Sequence, residues 1–311
     1  MKFVWGMMLL TPLLLASMEW KERAVLPQAR AGCGAGVIGK RMVVAGGSYW
    51  DKDQKYWSDR TDLFDPETNT WSPGAPMPQP RSDAASATFR GSVYVFGGVV
   101  GGSLSNNTQG FDGEHWKELP DAKLPAALMY PVAAAVDSGI LLLGGLTRMG
   151  DLSSASQSLW IWSPSADWRK LAAFPGAFRV SAAVAAADGK LYVFGGIHQD
   201  AVGAPPTNLQ DAWSYDLKRD TWTELPKLPV ARRAWAAIAL DRKIYLLGGY
   251  TDSFSADVYS FDVKSHEMHP AGSLPHPLAD ARFLRIGSRV LTAGGESGNK
   301  IRSNWTFEGK P

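Results

Sequence analysis

The sequence contains little cysteine and almost no excess of charge of either sign. Its 311 residues include one cysteine, Cys33, which excludes an internal disulfide and cysteine-rich zinc sites. Lysine and arginine number 32 against 30 acidic residues, and a net charge of +2 argues against a nucleic-acid-binding protein. No segment after the first 18 residues has the periodicity of an amphipathic helix. What is present, 45% hydrophobic residues with 32 glycines and 20 prolines, indicates a globular chain with many tight turns.

The amino terminus has the features of an export signal. Lys2 precedes an apolar run over residues 3–16, which ends at the small residues Ala16 and Ser17. The run is too short for a comfortable transmembrane helix, so we expect a signal peptide over residues 1–18, with an uncleaved anchor as the alternative. This predicts an exported protein, periplasmic or secreted, whose mature part covers residues 19–311.

Internal repetition is the strongest signal in the sequence. Six Gly-Gly doublets, spaced 46 to 53 residues apart, occur at Gly46-Gly47, Gly97-Gly98, Gly144-Gly145, Gly195-Gly196, Gly248-Gly249 and Gly294-Gly295. Each doublet ends a β-type run, and a turn followed by a tryptophan comes later, as at Trp71 and Trp222. Each repeat therefore predicts four antiparallel strands, here called a to d, with strand b ending at the doublet. A period of about 50 residues with this signature resembles the kelch family.

Six such sheets can bury both of their faces only by packing against one another in a ring. The expected fold is therefore all-β, a six-bladed kelch-type β-propeller. The segment around Trp20 has the features of a strand d with no a, b or c before it, and residues 301–307 have those of a strand c with no d after it. We therefore expect the amino-terminal strand to complete the last blade and to close the ring.

The strand directions place the b–c loops and the d–a loops on one face of the predicted disc. Five arginines near the start of strand a should therefore surround the central mouth, namely Arg30, Arg81, Arg179, Arg232 or its neighbour Arg233, and Arg282. Guanidinium groups that converge favour an anionic ligand, although such arginines can also tie loops together inside the protein. Trp50 and Tyr250 lie in b–c loops of the same face, where aromatic side chains could stack on a ligand or fill the core of their own loop.

Glu296 is the only charged residue that directly follows a Gly-Gly doublet. It could form a structural salt bridge or, in a cleft lined by cations, act as a general base. The histidines have no metal-ligand spacing, so we expect neither a metal nor a cofactor. A copper radical oxidase is disfavoured for the same reason, since Cys33 and the histidines form no ligand set.

The segment from Gly294 to Arg302 resembles the Gly-Glu-x5-Arg motif of the N-acetylneuraminate epimerases, also called sialate mutarotases. The resemblance implies that Glu296 transfers the proton and that Arg302 is its partner at the substrate. The first and fourth repeats resemble repeats of that family in rotated order, which is similar to its cyclically permuted branch. By this resemblance the chain would interconvert the anomers of sialic acid, a small anionic sugar, by general acid–base ring opening. The alternative is a non-catalytic kelch propeller that binds an acidic glycan or a protein.

Overall fold

Each repeat forms a four-stranded antiparallel sheet with the strand order a-b-c-d, in a computed structural model that describes residues 17–310. In blade 1, strands a to d are Gly34–Ile38, Arg41–Ala45, Thr61–Asp65 and Thr70–Pro73. In blade 2 they are Ala85–Phe89, Ser92–Phe96, Thr108–Phe111 and Trp116–Glu118. In blade 3 they are Val132–Val136, Gly139–Leu143, Leu159–Ser163 and Ala166–Lys170. In blade 4 they are Ala183–Ala187, Lys190–Phe194, Ala212–Asp216 and Thr221–Leu225. In blade 5 they are Ala236–Leu240, Lys243–Leu247, Asp257–Asp262 and Met268–Ser273. In blade 6 they are Arg282–Ile286, Arg289–Ala293, Thr306–Lys310 and, as strand d, the amino-terminal Glu19–Glu22.

Shorter strands shape the loops of one face. They are Ser48–Asp51, Gln54–Trp57, Arg81–Ser82, Val99–Val100, Ser103–Leu104, Ile197–His198, Thr207–Asn208, Glu296–Gly298 and Ile301–Arg302. Two 3-10 turns, Pro120–Ala122 and Leu152–Ser154, are the only helical elements within residues 17–310. No helix in that part of the chain is long and apolar enough to cross a membrane.

The innermost strands are rich in alanine because six of them converge on one axis. Strand a of blade 4 is Ala-Val-Ala-Ala-Ala, and strand a of blade 3 is Val-Ala-Ala-Ala-Val. Each strand a contacts strand a of the two neighbouring blades, and the contacts run in a cycle from blade 1 through blade 6 and back to blade 1. The expectation of an all-β, kelch-type propeller is confirmed.

The hydrophobic core is divided among the interfaces between blades. Strands b are almost wholly apolar because both of their faces are covered, as in Leu191–Phe194 of blade 4. Separate clusters of buried side chains fill the six interfaces; Val43 and Phe111, for example, meet between blades 1 and 2. Stability therefore comes from large apolar contacts between neighbouring blades.

The amino-terminal strand Glu19–Glu22 forms the outer edge of blade 6. It pairs antiparallel with Thr306–Lys310, so that Trp20 lies opposite Gly309 and its ring packs edge-on against Phe283 at 6.0 Å. Met18 is buried and its amide donates to the carbonyl of Ala271 in blade 5. Residues 1–16, which carry most of the predicted leader, lie outside the described residues, and export stays a prediction.

The Gly-Gly doublets are required by backbone geometry at the end of strand b. Both glycines of the fifth doublet have positive φ, +64° at Gly248 and +95° at Gly249. A Cβ atom on Gly248 would lie 2.1 Å from the carbonyl oxygen of Leu278, to which the amide of Gly249 donates a hydrogen bond of 2.8 Å. The doublet thus brings strand b of one blade against the d–a loop of the next, an approach that only glycine permits.

Candidate functional site

The arginines that precede strand a are buried inside the blades. Arg30 is fully buried, and its Nη2 donates to Asp62 Oδ2 at 2.5 Å and to the carbonyl of Val44 at 3.3 Å. Arg81 is almost as deeply buried and donates to the carbonyls of Gly97 and Asn107, at 2.5 and 3.1 Å. Neither guanidinium can reach a ligand at the mouth.

The equivalent arginines of blades 4 and 5 make the same kind of contact. Arg179 forms two hydrogen bonds to Asp211, of 2.5 and 2.6 Å, and a third to the carbonyl of Gly195 at 3.0 Å. Arg232 donates to the carbonyl of Gly248 at 3.1 Å and to Asp257 at 2.8 Å. These side chains join the d–a loop to strands b and c of their own blade.

The expectation that Arg30, Arg81, Arg179 and Arg232 bind a ligand is therefore corrected. Arg30, Arg179 and Arg232 each pair with an aspartate as well as with carbonyl oxygens. Arg81 donates to two carbonyl oxygens without a carboxylate partner, and burial lowers its pKa to about 10. Their main chains also link the blades, since the carbonyl of Arg30 accepts a hydrogen bond from Gly295 and that of Arg81 accepts one from Gly47. The alternative, that these arginines tie loops together, describes what the structure shows.

Arg282 does not belong to this set. The sixth repeat has Leu278 at the position equivalent to Arg30, and Arg282 lies four residues later, at the start of strand a. Its guanidinium extends across the top of the central channel and donates to the carbonyls of Cys33 and Ala84, both at 3.2 Å. It links blade 6 to blades 1 and 2, so its predicted equivalence to the other arginines is wrong.

A ring of residues in left-handed conformation, missed by the sequence analysis, surrounds the mouth instead. Its members, one from each blade and with φ from +49° to +65°, are Gly32, Asp83, Tyr130, Ser181, Ala234 and Asp280. Main-chain hydrogen bonds of 2.8 to 2.9 Å connect several neighbours in the ring, from Asp83 to Gly32 and from Asp280 to Ala234, for example. The signal in the sequence was a small or acidic residue two positions after each arginine, as in Arg-Ser-Asp at residues 81–83.

Two carboxylates, those of Asp83 and Asp280, thus belong to the ring at the mouth where a ring of cations was expected. Burial raises the pKa of Asp280 to about 7; Arg282 opposes this shift, while the neighbouring Glu296 and Asp83 add to it. Burial also raises the pKa of Glu296, against the effect of Arg302. Lys55 lies 3.6 Å from Asp83 and supplies part of the balancing positive charge.

Glu296 and Arg302 face each other across the small hairpin of blade 6, where they are paired in register. Nη1 of Arg302 donates to Glu296 Oε1 in an ion pair, and only 10% of the Arg302 side chain is exposed. The two residues are therefore brought together as expected. Most of the pair's charge is satisfied within the hairpin, which is the arrangement of a structural salt bridge.

A cavity of about 450 Å³ opens between blades 5, 6 and 1 on the loop face, which is the face formed by the b–c and d–a loops. We call it the loop-face pocket; its walls include Trp50, Arg233, Tyr250, Phe254, Lys300 and Arg302. The carbon of the Arg233 guanidinium lies 4.4 Å from the centre of the Tyr250 ring, and Lys300 Nζ lies 4.9 Å from that of Trp50. Trp50 and Tyr250, predicted to contact a ligand, thus share one pocket with Glu296 at its edge.

No group of three or more histidine, cysteine, aspartate or glutamate side chains is arranged to hold a cation within residues 17–310. Cys33 is a buried free thiol whose pKa burial raises to about 11, so it is a packing residue at neutral pH.

Comparison with known proteins identifies the family. A model of the attractin/LZTR1 β-propeller family matches residues 42–298. Kelch-like protein 35 of Mus musculus is 28% identical over 251 residues, which cover 79% of this chain and 41% of the relative. Beta-scruin of Limulus polyphemus is 27% identical over a match that covers 71% of this chain and 24% of beta-scruin. The kelch-like protein terF of Aspergillus terreus is 28% identical over a match that covers 70% of this chain and 50% of terF. The chain spans at most half the length of these relatives.

These findings overturn the prediction of a sialic acid isomerase. The matching family is a β-propeller family and two of the relatives are kelch-like proteins. None of the matches named above supports the mutarotase branch, a circular permutation or a sugar partner. With the isomerase prediction falls the assignment of Glu296 and Arg302 as catalytic. The physical reason is that the short Gly-Glu-x5-Arg motif also describes an ordinary b–c hairpin stabilised by an ion pair.

The fold, the repeats and the match over residues 42–298 agree, and the chain belongs to the attractin/LZTR1 family of kelch-type β-propellers.

Proposed function

We propose that the chain is a non-catalytic propeller that binds a protein partner through its loop face, the face formed by the b–c and d–a loops. One observation carries the proposal. The large hydrophobic side chains that are exposed within residues 17–310 are Val25, Tyr56, Met149, Val202 and Ile301. Val25 lies in the d–a loop before blade 1, and the other four lie in b–c loops, so all five are on the loop face.

The opposite face has a different composition. The two residues at each a–b turn there are Gly-Lys, Arg-Gly, Asp-Ser, Asp-Gly, Asp-Arg and Gly-Ser. Exposed apolar side chains that gather on one face, while the other face carries polar turns, are typical of a protein-binding surface. The loop face also has the pocket between blades 5, 6 and 1, where a partner side chain could insert.

Aromatic and arginine side chains strengthen this interpretation. Trp50, Tyr250 and Arg233 line the pocket, and such residues are enriched among those that contribute most to binding at protein interfaces. The kelch-like relatives are longer than this chain, which matches 41% of the first of them.

Site-specific photo-crosslinking in the native cell tests the proposal. A photoreactive amino acid replaces Val202 or Tyr56 on the loop face, and matched controls carry it at Asp137 or Lys218 in exposed turns of the opposite face. We expect the same partner protein in adducts from both loop-face positions and in none from the controls. Adducts formed equally from both faces, or only from the control positions, would contradict the proposal.

We also propose that the protein is exported, because the apolar run of residues 3–16 follows Lys2 and ends in small residues. Fractionation of the native cells, with sequencing of the mature amino terminus, tests this. Recovery of an uncleaved chain in the cytoplasmic fraction would contradict it.

A further inference from the structure

The loop-face pocket has more hydrogen-bond donors than acceptors. Glu296 is the only carboxylate among the residues that line it, and that carboxylate is paired with Arg302. Three cationic side chains, Arg233, Lys300 and Arg302, share the same walls. Lys300 Nζ also lies 2.8 Å from the exposed carboxylate of Asp53, so two of the three cations are paired. The excess of positive charge in the pocket is therefore that of Arg233.

Several of these donors have no acceptor. Nε of Arg302 is buried and makes no hydrogen bond, and the side chain that carries it is nine-tenths buried. The indole Nε1 of Trp50 is likewise shielded from solvent and unpartnered. A shielded donor without an acceptor is costly, and both of these belong to residues that line the pocket.

Arg233 points to the charge of that ligand. Its guanidinium lies on the Tyr250 ring, and its side-chain hydrogen bond goes to the neutral amide oxygen of Asn208, at 2.8 Å. No carboxylate among the described residues lies within 4.0 Å of it, whereas the buried Arg179 and Arg232 each have an aspartate. Arg233 thus differs from its neighbour Arg232 in having charge left for a partner.

From these observations, and resting on the protein-binding function proposed above, we infer that the loop-face pocket receives an acidic side chain of the partner protein. The carboxylate accepts hydrogen bonds from Arg233, and Lys300, whose ion pair with Asp53 is exposed, adds positive charge nearby. The rings of Trp50 and Tyr250 make flat apolar walls for the methylene groups beside that carboxylate. Tyr56 and Ile301, exposed on the adjoining hairpins, offer contacts for apolar residues that flank the acidic one.

A random octapeptide library displayed on phage and selected on the folded protein provides the probe. We expect the selected peptides to contain aspartate or glutamate next to an apolar or aromatic residue. The tightest is synthesised and its affinity measured by fluorescence anisotropy, together with that of a copy in which the acidic residue is replaced by its carboxamide. The replacement should weaken binding at least tenfold, because the carboxamide removes the charge and keeps the shape.

Variants of the protein locate the contact. Arg233→Ala should weaken binding of the acidic peptide at least tenfold and leave binding of the carboxamide copy nearly unchanged. The effects of the protein substitution and of the carboxamide replacement on affinity should therefore be strongly non-additive. Lys300→Ala should weaken binding of the acidic peptide about threefold and reduce its salt dependence, since Lys300 is more exposed. Arg219→Ala, in an exposed turn of the opposite face, is the matched control and should bind as the parent does.

Several results would overturn the inference: selected peptides without acidic residues, no selected peptide at all, equal affinity for the carboxamide copy, or full binding by Arg233→Ala. Circular dichroism of each variant separates a lost contact from a lost fold. Photo-crosslinking from Val202 and Tyr56 reports on the protein-binding function independently. A loop face that crosslinks a partner but does not prefer acidic peptides would keep that function and reject the carboxylate.

Discussion

At the scale of single residues, the buried arginines show how a charged group becomes part of a hydrophobic architecture. Arg30, Arg81, Arg179 and Arg232 are each at least 95% buried, and each contacts carbonyl oxygens at the end of strand b or the start of strand c. Removal of one of these arginines would leave the carbonyl oxygens and carboxylates that it binds buried without a donor. The arginines therefore fix the position of each d–a loop against its blade.

Truncation of one of them tests this role. Arg179→Ala leaves Asp211 with a hydrogen bond from the Trp213 indole but without its cation, and leaves the carbonyl of Gly195 without that donor. We expect a loss of about 3 kcal/mol in the free energy of unfolding, measured by urea denaturation. Arg219→Ala, whose side chain is 82% exposed, should change it by less than about 0.5 kcal/mol. Equal effects of the two substitutions would refute a tying role.

Asp280 gives the protein a dependence on pH. Its pKa of about 7 in the fold lies well above the ordinary value near 3.9, so between pH 5 and 8 the unfolded carboxyl is ionised throughout while the folded one loses its proton. The folded state binds more protons, and its stability therefore falls as the pH rises towards 7. Asp280→Asn should remove this slope. The free energy of unfolding of the variant, relative to that of the parent, should therefore be about 2 kcal/mol higher at pH 8 than at pH 5.

Urea denaturation of both proteins at pH 5 and pH 8 measures this difference. Arg282, Glu296 and Asp83 are unchanged in the variant, so the comparison isolates the carboxyl of Asp280 and its coupling to them. A gap between parent and variant that is the same at both pH values would show that Asp280 is ionised throughout this range.

The sequence located the arginines but did not predict where their side chains point. In a regular strand, residues two positions apart share a face. A regular strand would therefore have placed each arginine at the mouth, beside the ring residue two positions later. Asp83 and its equivalents have positive φ, so the chain turns between the arginine and strand a and the alternation does not hold. Periodicity alone does not reveal such a turn.

At the scale of the elements, the Gly-Gly doublets test how closely one blade approaches the next. Gly248→Ala would combine a left-handed φ of +64° with a Cβ atom 2.1 Å from the carbonyl oxygen of Leu278. We expect a loss of about 3 kcal/mol in the free energy of unfolding, because the obstacle is backbone that cannot move without separating the blades.

Gly287 is the matched control. It has the same φ of +64° in the a–b turn of blade 6, and no atom lies within 4 Å of where its Cβ would be. Gly287→Ala therefore isolates the cost of the left-handed conformation, about 1 kcal/mol. If the two variants unfold at the same urea concentration, the close approach at Gly248 contributes nothing.

Four strands in each blade could be predicted from the sequence because each has a local signal: the apolar run before the doublet, the turn and the tryptophan. The loop hairpins could not. The pairing of Glu296–Gly298 with Ile301–Arg302 is a hairpin of only a few residues with a shift in register, too short to show an alternating pattern. The proximity of Trp50 to Lys300 depends on contact between loops of neighbouring blades. The loop-face pocket therefore appears only once the ring is assembled, although Trp50 and Tyr250 were singled out beforehand.

At the scale of the whole molecule, the ring has one place where the two ends of the described chain meet. Glu19–Glu22 and Thr306–Lys310 pair in blade 6, while the other five blades are each continuous in sequence. Trp20 covers Gly309 and packs on Phe283, and Met18 reaches into the interface with blade 5. Closure by this strand joins the most distant parts of the sequence.

A chain that starts at Arg23 tests how much the whole ring depends on this closure. Loss of residues 17–22 leaves strand c of blade 6 as an unpaired edge and exposes the apolar surface that Met18 and Trp20 cover. A loss of about 4 kcal/mol is expected in the free energy of unfolding, the order of one large buried side chain with its cavity. Because a strand deletion also opens the interface between blades 5 and 6, hydrogen exchange should accelerate first in Thr306–Lys310 and Met268–Ser273, and later in blades 2 and 3. Uniform acceleration around the ring would mean that the propeller unfolds as one unit whether or not this strand is present.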